Sequence, residues 1–429
     1  MAPAPEAQLH TPSLPGADDG YSTKLKEYVQ RVETTHLPPP PSAPVEEAHS
    51  GPQGHVVPLT IIDDPSAWKA TDFAGKEDSY TYVFSSEDVA ELTAAVNAIR
   101  ARGVATEEDI KALTKADYAL PTLAPKLVEL AKNVTYGRGF QLLRGFPVEQ
   151  YREDRVGLVI AYWGLALALG RVQVSQTDYH ADGTVFGSIL NHITEGRWAK
   201  DYDAGYTRAP KINVNRLEFH SDQGATDVIS LLSLTAAKEG GESKWVSGVA
   251  IHNELIRRGR KDLVAELSKL NTWLVPKKAD QAQYLRNPDG TFVGFEDTPP
   301  FEYHDGYLSV HFQSYNYQEI KLTPLQEEAV WTFAALAEDP EFYLVKKLQP
   351  GDIEWISNTT VLHSRTEVLD GPDNREKRHL LRWWVHTDAN KRPIASHYAP
   401  RSNVQDGGGF SVPEGSNIRL PLYPYSRHA

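Results

Sequence analysis

The sequence predicts a mainly β protein with helices packed around it, an α+β chain built on a jelly-roll-like core. Three observations carry this. Apolar and aromatic runs of strand length recur from Asn213 onward. Helical patterns do not alternate strictly with these runs, which argues against a parallel α/β sheet. The hydrophobic content of 40% and aromatic content of 10% are enough for a sizeable core, so disorder throughout is excluded despite 29 prolines. No internal repeat is present.

Taken in order, residues 1 to about 58 are rich in Pro, Ala and polar side chains, with Pro38, Pro39, Pro40, Pro41 and Pro44 forming a polyproline patch. Such a segment buries little apolar surface, so a flexible or draped arm is expected, with a short helical turn or two from Lys24. Order is expected from Leu59. Ser85-Ser86-Glu87-Asp88, followed by Val89, Leu92, Ala95, Val96 and Ile99, is a capped amphipathic helix. Residues 123–131 form another. The stretch 139–147 is a short strand closed by Gly145 and Pro147. Residues 153–169 are apolar nearly all round and read as a buried helix. Residues 217–221, 228–234, 308–312, 343–348, 353–356 and 379–386 read as strands, interrupted by single helices over 247–269 and 323–336.

At 429 residues the length allows one large domain or two ordinary ones. The formal charge of −13 argues against a nucleic-acid partner. The one basic cluster, from Arg257 to Lys261, is flanked by Glu254 and Asp262. The longest apolar stretch, 156–169, falls short of the roughly 20 residues that span a bilayer. Residues 1–20 have neither a positive start nor an apolar core, so a cytoplasmic protein is expected, with no membrane partner. Cysteine is absent and the only methionine is Met1, which removes disulfides, zinc–thiolate sites and cysteine nucleophiles from consideration.

The chemistry concentrates at His220-Ser221-Asp222. In an extended strand, residues two apart share a face, so His220 and Asp222 can reach one ion with Ser221 turned away. His363, after the turn and strand Gly351-Asp352-Ile353-Glu354-Trp355-Ile356-Ser357-Asn358, can return across a barrel as a third ligand. Two imidazoles and one carboxylate leave coordination positions open and suit Fe(II) better than Mg or Ca. A second His-x-Asp, His180 and Asp182, ends in Gly183 before the β-rich half and reads as a loop or pocket rim. His220 is favoured by its company: Gly240-Gly241-Glu242-Ser243 follows it, and Arg378, Leu380, Arg382 and Trp384 share one face of a later strand. Two arginines aimed into an apolar barrel are costly unless an anion meets them, the bland alternative being internal salt bridges.

These residues resemble the taurine dioxygenase and 2,4-D dioxygenase (TauD/TfdA-like) family of Fe(II)- and 2-oxoglutarate-dependent oxygenases. The stretch 139–147 with its following helix is also similar to that family's N-terminal region, and the likeness runs over roughly residues 59 to 390. The resemblance implies a double-stranded β-helix of the clavaminate synthase-like, cupin-type kind. It implies one catalytic domain over 59–429, with a tail from about 390 that carries Gly407, Gly408 and Gly409. It implies His220, Asp222 and His363 as iron ligands, and 2-oxoglutarate with its distal carboxylate on Arg378 and Ser243. Arg382 would lie nearer the primary substrate, although the two arginines could exchange roles. O2 is the third reactant, and succinate and CO2 are the co-products. No general base is needed.

The primary substrate is expected to be a small anion, a sulfonate, a carboxylate or an amino-acid-like metabolite. Arg382, Arg216, Asn191 and Gln176 are its candidate contacts, with Tyr179, His180 and His192 in the same stretch. Desaturation or cyclisation through the same centre, a non-catalytic jelly-roll binding protein and a zinc hydrolase stay open as alternatives, as does a homo-oligomer.

Overall fold

Two β-sheets face each other and helices cover both outer faces. The computed structural model describes residues 23–33, 49–50, 55–179, 185–194, 216–222, 226–269, 299–317, 322–371, 373, 376–387, 392–393, 409, 412 and 415–424. The larger sheet runs Thr81–Val83, Phe140–Arg144, Ile353–Ser357, Val228–Thr235, His379–Thr387, Gly170–Gln173, with Asn191–Thr194 on the first half of His379–Thr387. Its pairs are antiparallel except the first, between Thr81–Val83 and Phe140–Arg144. The smaller sheet runs Tyr343–Lys346, Ser243–Ser247, Val361–Arg365, Leu217–His220, antiparallel throughout.

Register decides what enters the space between the sheets. Ile229 is opposite both Ile356 and Trp384, and Leu231 is opposite both Glu354 and Arg382, so these six share one face. In the smaller sheet His363 is opposite both Trp245 and His220, and Ser243 is opposite Arg365. The inner core accordingly joins Phe140, Leu142, Ile229, Leu231, Ile356, Leu380 and Trp384 to Trp245 and Val361. Alternate residues serve the outer layers. Leu232, Trp355, Leu381 and Trp383 pack against the buried helix Arg155–Leu169, while Phe219, Val246 and Leu362 pack against Gly248–Arg257 and Pro324–Ala337. This four-layer α+β architecture is the jelly-roll-like core expected from the strand pattern.

Three local departures have plain causes. The expected single helix over 247–269 is two, Gly248–Arg257 and Lys261–Leu267, because Gly259 sits at φ +73° between them. The arm is partly folded: Thr23–Glu33 is helical and buries Leu25, Val29 and Val32 in the cluster that holds Pro324–Ala337. The stretch around the candidate contacts Gln176 and Asn191 contributes strands, since Gly170–Gln173 and Asn191–Thr194 both pair with His379–Thr387. Among the described residues no helix is long and apolar enough to cross a membrane.

Candidate active site

His220 ends its strand, Asp222 follows in the turn, and His363 sits mid-strand directly across from His220. Ser221 is turned away, as its position between two inward residues requires. Its backbone N–H donates to Phe312 O at 2.8 Å, and its hydroxyl accepts from Phe312 N–H at 3.1 Å. Asn358 clips Asp222 from the other side: its Oδ1 accepts from Asp222 N–H at 2.7 Å and its Nδ2 donates to Asp222 O at 2.9 Å. The turn is thus fixed by hydrogen bonds to elements distant in sequence.

Inside the barrel, His220 Nε2 and His363 Nε2 lie 3.6 and 3.8 Å from Asp222 Oδ1. The three ligand-capable atoms all fall within 4.8 Å of one another. His220 Nδ1 is 2.9 Å from the Glu218 carbonyl, which can only accept, so Nδ1 carries the proton and Nε2 keeps its lone pair for the centre. Burial, reinforced by the neighbouring His220 and Arg382, pulls His363 down to about 3 against the pull of Asp222, so its imidazole is neutral at pH 7. Burial opposes ionisation of Asp222, but Arg382, His220 and His363 outweigh it and hold the carboxyl well below its usual range. A neutral His363 imidazole and an ionised Asp222 are protonation states that metal binding requires. The donor set fits a divalent ion with open positions.

Asp222 Oδ2, turned from the histidines, accepts from Arg382 Nη1 at 2.9 Å and Trp384 Nε1 at 2.8 Å. Arg382 also donates to Ser175 O at 3.1 Å, and Asn191, its cross-strand neighbour, donates to Ser175 Oγ at 2.7 Å. Asn191 and Ser175 therefore border the Asp222 side of the barrel. Arg216 does not join them. Its guanidinium donates to Glu338 at 2.6 Å, as does Lys244 at 2.7 Å, and Lys244 leaves its strand on the face opposite Ser243 and Trp245. Arg216, expected among the substrate contacts, is thus paired with Glu338, remote in sequence and adjacent in space. His192 is likewise occupied, its two ring nitrogens lying 2.8 Å from His379 Nε2 and 2.8 Å from Pro421 O. His180 and Asp182 lie outside the described residues, and only the backbone of Tyr179 is described.

The far side of the cavity holds Ser243 and Arg378. Arg378 is buried, and no hydrogen bond or ion pair joins its guanidinium to a described residue, its backbone N–H alone bonding Asp370. Gly241, at φ +69°, leaves it room: a Cβ there would stand 2.9 Å from Arg378 Cδ. A buried guanidinium with no bonded partner among the described residues fits a carboxylate ligand. Sequence reasoning missed two neighbours. Arg365 lies two residues beyond His363, so strand period alone could have placed it inward. Glu354 carried no such signal, because its strand is buried on both faces and only register shows which way it points.

Comparison with known proteins agrees with this geometry. Residues 105–384 match the model of the family described as taurine catabolism dioxygenase TauD, TfdA. The chain is 31% identical over 327 residues to the taurine hydroxylase-like protein SAT17 of Stachybotrys chartarum, covering 75% of this chain and 78% of that one. It is 26% identical over 340 residues to FR-33289 synthase of Streptomyces rubellomurinus, covering 77% and 88%. In fold it is similar to asparagine oxygenase bound to Fe(II), 2S,3S-3-hydroxyasparagine and succinate, with a TM-score of 0.53 at 16% identity over 80% of this chain and 99% of that one.

Proposed function

This chain belongs to the taurine catabolism dioxygenase TauD, TfdA family of Fe(II)- and 2-oxoglutarate-dependent oxygenases, and on that premise we propose how its barrel divides the work. His220 Nε2, His363 Nε2 and Asp222 Oδ1 hold the iron. The observation that carries this is their convergence within 4.8 Å, with the tautomer of His220 set by Glu218 O. Arg378 and Ser243 receive the distal carboxylate of 2-oxoglutarate, supported by the buried guanidinium with no described partner.

Arg382 is a positioning residue. With Trp384 it keeps Asp222 Oδ2 engaged, so that Oδ1 alone faces the metal. With Fe(II), 2-oxoglutarate and O2 bound, the centre supplies the power to oxidise an unactivated C–H, with release of succinate and CO2. Ile229, Leu231, Trp245 and Trp384 line the cavity, exclude water and hold the substrate's C–H near the iron. No residue is required as a general base.

The primary substrate is a small anionic metabolite, a sulfonate, carboxylate or amino-acid-like molecule, entering beside Asn191, Ser175 and Gln176. Its support is the Stachybotrys relative, whose name is taurine hydroxylase-like. The catalytic domain runs from about residue 59 to 429, with a C-terminal tail from about 390.

The test is an anaerobic titration of apo-protein with Fe(II) and then 2-oxoglutarate, recorded in the visible. A weak metal-to-ligand charge-transfer band should appear only with both. His220→Ala should lose iron and the band, whereas His180→Ala should keep both. Iron loss in His180→Ala alone would show that the wrong His-x-Asp pair has been chosen.

A further inference from the structure

The end of the cavity around Arg378 contains more charge than one arginine and one incoming carboxylate. Glu354 points into it from the Ile353–Ser357 strand and is 2% exposed. Its Oε2 accepts from Trp245 Nε1 at 3.0 Å, and the Ser243 hydroxyl also stabilises its charge. Its charged neighbour is Arg378, which immediately precedes the strand His379–Thr387. Arg365, across from Ser243, faces Arg378 and Asp370. Asp370 and Glu242 also face Arg378, and Glu242 is hydrogen-bonded to Thr366. From Phe140–Arg144 and Val228–Thr235 the residues opposite Glu354 are Leu142 and Leu231, which carry no charge.

With every group ionised, two cations, Arg365 and Arg378, face three carboxylates, Glu354, Asp370 and Glu242. A carboxylate delivered to Arg378 adds a further negative charge beside the buried Glu354. A like charge brought up to a buried carboxylate disfavours its ionised form. Glu354 is the most buried of the three, and burial has already raised it to about 7. A protonated Glu354 keeps its bond to Trp245, because the carbonyl oxygen still accepts from the indole N–H.

We propose that Glu354 is a positioning residue of the co-substrate pocket that takes up a proton from solvent as the distal carboxylate of 2-oxoglutarate binds Arg378. The proposal rests on the reading of Arg378 given above. Glu354 ionised holds the arginine in place before the ligand arrives, and Glu354 protonated yields it to the ligand. Binding is then linked to pH: above about pH 7 the apparent Kd for 2-oxoglutarate weakens by up to about tenfold per unit, since one proton must be supplied for each ligand bound.

The experiment is anaerobic calorimetry of the Fe(II)-loaded protein with 2-oxoglutarate at pH 7.5, in buffers of differing ionisation enthalpy, with Kd followed from pH 6.5 to 8.5. Wild type should take up roughly half a proton or more per 2-oxoglutarate. Glu354→Gln, which preserves the acceptor for Trp245, should take up none and bind with a flat pH profile. 2-Oxopentanoate, which lacks the distal carboxylate, should bind wild type without proton uptake, a control that needs no variant. No uptake by wild type, or a Glu354→Gln profile matching wild type, would overturn the proposal. Arg378→Ala separates the two ideas. If it weakens 2-oxoglutarate binding while wild type takes up no proton, only the role of Glu354 is wrong. If it binds 2-oxoglutarate with wild-type affinity, the reading of Arg378 is wrong and the role of Glu354 goes with it.

Discussion

Replacing Arg378 by Ala should weaken 2-oxoglutarate binding by two to nearly four orders of magnitude without weakening the unliganded protein. The guanidinium is already buried, so its desolvation was met on folding and is not charged again when the ligand binds. Burial and the nearby Arg365 press on it, while Glu354, Asp370 and Glu242 favour its charge without bonding to it. Truncating one partner of a buried ion pair costs about 3–5 kcal/mol, or roughly 150- to 5,000-fold in Kd. Stability supplies an independent reading. At a 2-oxoglutarate concentration of 100 Kd, wild type should gain about 2.7 kcal/mol against denaturant, whereas a variant weakened about 150-fold should gain about 0.3 kcal/mol at that concentration. Without 2-oxoglutarate, and at pH 6 where Glu354 is mostly protonated, the two proteins should unfold at similar denaturant midpoints, because the variant lacks a charge that had no bonded partner among the described residues. The assay is anaerobic chemical denaturation of the Fe(II)-loaded proteins with and without 2-oxoglutarate, alongside titration of the visible band. A Kd within threefold of wild type, or an equal stability gain, would refute the assignment of Arg378 to the distal carboxylate.

Three further outcomes are expected. Trp384→Phe removes one of the two bonds to Asp222 Oδ2 without changing charge, and Fe(II) affinity should fall about tenfold, measured by anaerobic metal titration. Glu338→Gln leaves Lys244 and Arg216 without their carboxylate in a buried setting where burial already lowers Lys244, and should cost about 3 kcal/mol in urea unfolding while leaving Fe(II) affinity intact. Glu354, with a normal value of 4.5 raised to about 7 by burial, binds more protons folded than unfolded between those values, so it lowers stability progressively as pH rises from about 4.5 through 7. The loss approaches about 3 kcal/mol, and Glu354→Gln should flatten that part of the stability–pH curve.

Much of the fold was legible because its signals are local. Ser85 caps the Ser86–Ala101 helix through Asp88, as the Ser-x-x-Asp spacing requires. The strand period put Arg382 and Trp384 on one face, and put His220 and Asp222 on the same side of Ser221. The helix Arg155–Leu169 declared its burial by being apolar all round.

The sequence by itself determined which residue types were available to hold a metal and an anion, because ligand chemistry and strand periodicity are properties of a few neighbouring residues. Only the tertiary structure decided what each charge met. Arg382 met Asp222 across 160 residues, and Arg216 met Glu338 across 122. Glu354 turned inward opposite Leu231 in a strand whose pattern gives no direction. Electrostatic partners are set by distance in space, and in an antiparallel barrel that distance is fixed by strand register, which no local run of residues encodes.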